Sequence, residues 1–134
     1  MAQATTLISG SRQAFVAANA AVACPAAGNT VLLTLNVLGL TRLFVQFSVA
    51  TQALDAFLIS AKAHPDATAV TIASSAANFT SPVDPIVAAS GDLTTTAAAG
   101  TGWFLMNVVG LHEVTISASG AVNNAAVTIY ACGE

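Results

Sequence analysis

Alternation with a period of two dominates this chain and restricts its fold more than any other feature. Val31, Leu33, Leu35 and Val37 fall on one side of their segment, with Thr34 and Asn36 among the residues opposite. Leu43, Val45, Phe47 and Val49 repeat the pattern against Gln46 and Ser48. Phe104, Met106 and Val108 alternate with Trp103, Leu105 and Asn107, Val114 and Ile116 with Thr115 and Ser117, and Val127 and Ile129 with Thr128 and Tyr130. Successive side chains of a strand point to opposite sides of a sheet, so these segments read as strands with one buried face. The same reading puts Leu54, Ala56 and Leu58 on one side of a strand and Asp55, Phe57 and Ile59 on the other. A helix over Thr51 to Ala63 is the rival there, because its Ala, Leu, Lys and Gln have good helix propensity.

Turn chemistry separates the segments at Pro25 to Asn29, Gly39, His64-Pro65-Asp66, Gly110 and Gly120 to Asn124. With a first strand around Ala14 to Val22, the expected fold is all-β: an antiparallel β-sandwich, jelly-roll-like, of about eight strands. One such domain accounts for residues 1–134. Two stretches depart from the rhythm. Residues 1–13 read as an extended N-terminal arm. Residues 74–102 read as a long loop, rich in Ser, Thr, Ala and Gly, which either docks on a neighbour or carries a short edge strand near Ile86 to Ala88. Phe79, Val83 and Ile86 from this loop, with the single tryptophan Trp103, are the candidate partner-contact residues.

Composition narrows the function classes. Charged residues make up 7% of the chain, against about 25% in an average soluble domain. A surface so poor in charge is expected to work packed against a partner or against copies of itself, as a homodimer or homotrimer. Arg12, Arg42 and Lys62 are the only fixed cations and the net charge is -3, so no phosphate backbone is expected as partner. Mean hydropathy is +0.76, yet no apolar run reaches the roughly 18 residues that a membrane helix needs. The Ala-rich stretch from residue 13 to 23 contains Asn19 and follows a single cation, which is unlike an export signal, and no membrane partner is expected.

No catalytic signature emerges. There is no Gly-x-Ser-x-Gly elbow around any serine. His112-Glu113 lacks the second His of a helical zinc motif, and no close Cys or His pair is available for a metal. Asp84 and Asp92 lack the dense oxygen-ligand spacing of a calcium loop. His64-Pro65-Asp66 matches the tripeptide of J-domain co-chaperones, but without their basic surface it reads as a turn, with Pro65 setting φ and Asp66 capping its own backbone. Cys24 and Cys132 read as two small buried apolar residues, with a disulfide as the alternative. The expectation is a protein with no enzymatic activity, no cofactor and no catalytic or metal-binding residue.

The second half of the chain resembles a known group. Gly91-Asp92-Leu93-Thr94-Thr95, Gly100-Thr101-Gly102-Trp103-Phe104 and Val108-Val109-Gly110-Leu111-His112-Glu113-Val114, with the upstream Ala63-His64-Pro65-Asp66-Ala67 turn, resemble small β-sandwich proteins from tailed-bacteriophage head gene clusters. The resemblance spans roughly residues 30 to 132 as a pattern of strands and turns. It implies a cement or decoration subunit on the virion surface that reinforces contacts between major capsid proteins. It assigns no role to any single residue. A phage tail, neck or fibre subunit and a bacterial surface or pilus-like protein are the alternatives.

Overall fold

The computed structural model describes residues 14–26, 28–51, 54–75, 86–90, 100–121 and 125–134. Among these lie nine strands: β1 (Ala14–Cys24), β2 (Thr30–Asn36), β3 (Arg42–Ala50), β4 (Leu54–Lys62), β5 (Val70–Ser75), β6 (Ile86–Ser90), β7 (Gly100–Asn107), β8 (Glu113–Gly120) and β9 (Ala125–Gly133). They form two sheets, ordered β1-β9-β3-β7-β6 and β2-β8-β4-β5, and every pairing is antiparallel. Without β6, the chain crosses between the sheets at every connection except the β4–β5 hairpin. This is the double Greek key of a jelly roll. The expected β-sandwich is therefore present, and β6 adds a strand to the edge of the larger sheet. The Thr51 to Ala63 region is strand β4, so strand alternation prevails over helix propensity there.

Alternation builds the core directly in β3, where Leu43, Val45, Phe47 and Val49 point inward and are buried. Phe104 and Met106 of β7 and Val127 and Ile129 of β9 complete the inner face of the same sheet. Opposite them, Phe57 of β4 is fully buried; its ring meets Phe104 edge-on at 5.8 Å and Phe47 at 6.2 Å. The two sheets are thus joined by an aromatic contact whose edge-to-face geometry adds to its area burial.

In β2 and β4 a bulge changes which of the large apolar side chains are buried. In β2 the register against β8 shifts between Val31 and Leu33. Leu32 and Leu33 are consequently both buried, and Val31 is 54% exposed, whereas strict alternation placed Val31 with Leu33. In β4 the register shifts between Leu54 and Ala56, so that Leu54 joins Phe57, Ile59 and Ala61 inside. An extra residue in one strand reverses the facing of everything on one side of it.

The cysteines occupy opposite ends of the sandwich. Cys24 pairs in register with Ala125 and Cys132 with Phe15; both are thiols, Cys24 buried and Cys132 exposed. Seven strand positions separate their levels, about 23 Å, several times the reach of a disulfide. Burial raises the Cys24 thiol above its ordinary pKa. The expectation of two buried cysteines holds for Cys24 alone.

Because Phe57 contacts both Phe47 and Phe104, its removal opens a cavity shared by both sheets. We expect Phe57→Ala to cost about 3–5 kcal/mol in urea-denaturation stability. A loss below about 1 kcal/mol would show that this contact does not hold the sheets together.

Candidate interaction surface

The two outer faces of the sandwich differ in chemistry. On the smaller sheet, Thr34, Thr115 and Ser60 lie side by side in register, as do Val31, Ser117 and Leu58. This sheet mixes hydroxyls with aliphatic groups and has no aromatic row: Val31 and Val70 are exposed on its two edge strands, and Ser117 is buried. On the larger sheet, three cross-strand rows run over β9, β3 and β7. The first is apolar: Cys132, Phe44 and Leu105. The second is aromatic around an amide: Tyr130, Gln46 and Trp103. The third carries hydroxyls: Thr128, Ser48 and Thr101.

Phe44 and Trp103 are diagonal neighbours across β3 and β7, and their rings stack at 5.5 Å with 24° between planes. Cross-strand aromatic pairs of this kind hold one another in place and present a stiff surface. Phe44 remains 40% exposed and Tyr130 50% exposed. At the end of the face, Arg42, Phe44, Leu105, Cys132, Gly133 and Glu134 enclose a shallow depression of about 220 Å³. Among the described residues, the charged groups near the rows are Arg42 and Glu134, at its rim. The backbone there is fixed, because the amides of Thr41 and Arg42 both donate to the Glu134 carbonyl oxygen, at 2.6 and 3.1 Å.

The same end of the sandwich carries two turns of equal construction. Asn36-Val37-Leu38-Gly39-Leu40 leads from β2 to β3, and Asn107-Val108-Val109-Gly110-Leu111 leads from β7 to β8. In each, the Asn side-chain oxygen accepts from the amide two residues on, Leu38 at 3.0 Å and Val109 at 3.2 Å. In each, the last Leu amide donates back to the Val carbonyl, at 2.9 and 3.0 Å. Gly39 and Gly110 have φ of +84° and +82°, the left-handed region required at the third position of this turn type. The turns also hold each other: the Val37 amide donates to the His112 carbonyl and the Val108 amide to the Thr41 carbonyl, both at 3.0 Å. Val37 and Val108 are buried, while Leu38 and Val109 stand out at 68% and 66% exposure. The turn geometry does not require an aliphatic residue at either tip, yet both have one.

The neighbouring polar groups are structural. Lys62 Nζ lies 3.6 Å from Glu113 Oε1 and donates to the Pro65 carbonyl at 3.2 Å. The His64-Pro65-Asp66 segment is a turn, closed by the Ala67 amide donating to the His64 carbonyl at 3.0 Å. Its internal cap is the reverse of the one expected: the Asp66 amide donates to His64 Nδ1 at 3.2 Å. His112 Nδ1 is buried and has no hydrogen-bond partner among the described residues. Among the described residues, no three His, Cys, Asp or Glu side chains gather in a metal-binding group.

Of the four candidate contact residues, Phe79 and Val83 lie outside the described residues. Ile86, at the edge of the larger sheet, is 2% exposed and belongs to the core, so its side chain is directed inward within this subunit. Trp103 is half-buried and lies on the outer aromatic row. The sequence reading missed Phe44, Leu105 and Tyr130 on that face and Leu38 and Val109 at the tips. The repeated Asn-Val-x-Gly-Leu was the signal available for the tips.

Comparison with protein-family models, with curated proteins and with solved structures found no match to this chain.

An added Cβ at Gly39 or Gly110 meets nothing within 4 Å, so replacing either residue tests backbone strain alone. We expect Gly39→Ala and Gly110→Ala each to cost about 1–2 kcal/mol in chemical denaturation. Equal, near-zero effects would contradict the shared construction of the turns.

Proposed function

We propose that this protein is a virion structural protein, a cement or decoration subunit that binds the outer surface of a phage capsid shell and stabilises contacts between major capsid proteins. The observation that carries the proposal is the pair of exposed aliphatic tips, Leu38 and Val109, held on two turns that brace each other. A subunit that stabilises a shell by contact alone needs stiff, preformed apolar projections, because ordering a loose loop would consume part of the binding free energy. It also needs no catalytic centre. Jelly rolls serve capsid domains, lectins and cupins alike, so the fold is compatible with the reading without selecting it.

The mechanism is linkage. A subunit that binds only the assembled shell shifts the equilibrium toward assembly by the free energy of its own binding. Repetition over many symmetric sites multiplies the effect. With so few charges, binding draws on apolar and backbone contacts, and ion pairs contribute little.

The test is binding to shells lacking the subunit, followed by light scattering. Saturation at a fixed copy number, unchanged as salt rises from about 50 to about 500 mM, is the expected result. Leu38→Ser with Val109→Ser should weaken binding at least about tenfold while leaving stability within roughly 0.5 kcal/mol, since both side chains are exposed. Binding that salt abolishes, or that the double variant retains in full, would contradict the reading. A discrete particle that ignores shells would favour the tail, neck or fibre alternative.

A further inference from the structure

The outer face of the larger sheet has no role in the shell contact just described, and it is too apolar to be an ordinary wet surface. We propose that this face is a homodimer interface: a second copy of the chain packs against it, sheet to sheet, about a two-fold axis running along β3.

Strand order is the first argument. β3 is the middle strand of β1-β9-β3-β7-β6. A two-fold axis along it therefore sets β9 over β7 of the other copy and β1 over β6, and overlaps all five strands. Five strands at about 4.8 Å spacing and a nine-residue β3 at about 3.3 Å per residue give roughly 700 Å² per copy. The total, about 1,400 Å², falls in the range of stable specific interfaces, roughly 1,200–2,000 Å². Aligned packing of two twisted sheets also favours strand directions within about 30° of each other, as this axis provides.

Side-chain chemistry selects the orientation. Rotation about β3 lays each cross-strand row on its own copy. Tyr130 then meets Trp103 of the second copy, Cys132 meets Leu105, Phe44 meets Phe44, and Gln46 meets Gln46. Facing amides can each donate and accept, which makes Gln46 self-complementary. The other in-plane axis, across the strands, would lay the apolar row on the hydroxyl row and strand the Phe44 and Leu105 side chains against Ser48 and Thr101. A glycan platform fits the face less well. Aromatic rings suit a sugar only beside several hydrogen-bonding groups; the apolar row supplies only the weak Cys132 thiol, and the aromatic row supplies Gln46, the Tyr130 hydroxyl and the Trp103 indole N–H.

The axis along β3 has a further consequence, which rests on the cement reading. It keeps the same end of both sandwiches together, so the dimer presents four aliphatic tips toward one surface. Two engaged subunits then bind with the avidity of a linked pair.

Sedimentation velocity from about 0.1 to about 50 µM, with no shells present, tests the dimer by itself. The expected result is a monomer–dimer equilibrium. Gln46→Lys and Gln46→Glu should each raise the dissociation constant at least about tenfold, because like charges then face each other across the axis. An equimolar mixture of the two variants should recover a heterodimer, which a folding defect could not produce. A wild-type monomer throughout, or variants that dimerise as wild type does, would overturn the proposal. So would a mixture that fails to recover the dimer. Because Leu38 and Val109 are untouched, failure here is distinct from failure of the shell-binding experiment.

Discussion

Everything in this molecule depends on the contact that Phe57 makes across the sandwich. Its ring meets both Phe47 and Phe104 of the opposite sheet, which sets the inner faces of β4, β3 and β7 against one another. Once β3 commits Leu43, Val45, Phe47 and Val49 inward, Phe44 and Gln46 must point out. Pairing with β7 and β9 then places Trp103, Leu105, Tyr130 and Cys132 beside them. The core is complete without these outer residues. Their apolar character is surplus to the folding of one chain, and it is the physical basis for assigning the face to a partner.

Electrostatics has a small part in this arrangement. Lys62 and Glu113 pair half-exposed at a strand end, a geometry worth at most about 1 kcal/mol. Arg42 and Glu134 lie at the rim of the outer face, away from its centre. With so little charge to provide solvation or repulsion, exposed apolar rows persist in water only if association covers them or if their number is small. The smaller sheet takes the second course, with Val31 and Val70 exposed singly on its two edge strands. The larger sheet does not.

Much of the fold was legible because burial and alternation coincide. The facings of β3, β7, β8 and β9 follow from their residue patterns, and the turn at His64-Pro65-Asp66 follows from Pro and Asp. What alternation could not reveal was where it breaks. The bulges in β2 and β4 exposed Val31 and buried Leu54 through pairing with β8, a long-range property that neither segment contains. Ile86, a candidate partner contact by sequence, is a core residue, because a short apolar run at a sheet edge looks the same facing either way. Trp103 stands out in the sequence as the single tryptophan, but its place beside Phe44 on the outer face is supplied only by the β3–β7 register. Gly39 and Gly110 were recognised as breaks; that they belong to mutually bracing turns required the reciprocal hydrogen bonds between them.

The central claim is that the outer face of the larger sheet works by apolar burial. Dilution calorimetry of the purified protein at several temperatures measures this most directly, because apolar burial has a negative heat-capacity change as its signature. The account predicts a value on the order of -0.2 kcal/mol/K for association, from roughly 1,400 Å² of mostly apolar surface, and little change with added salt. A heat-capacity change near zero, with association that weakens as salt is raised, would contradict it and place the binding energy in charges instead.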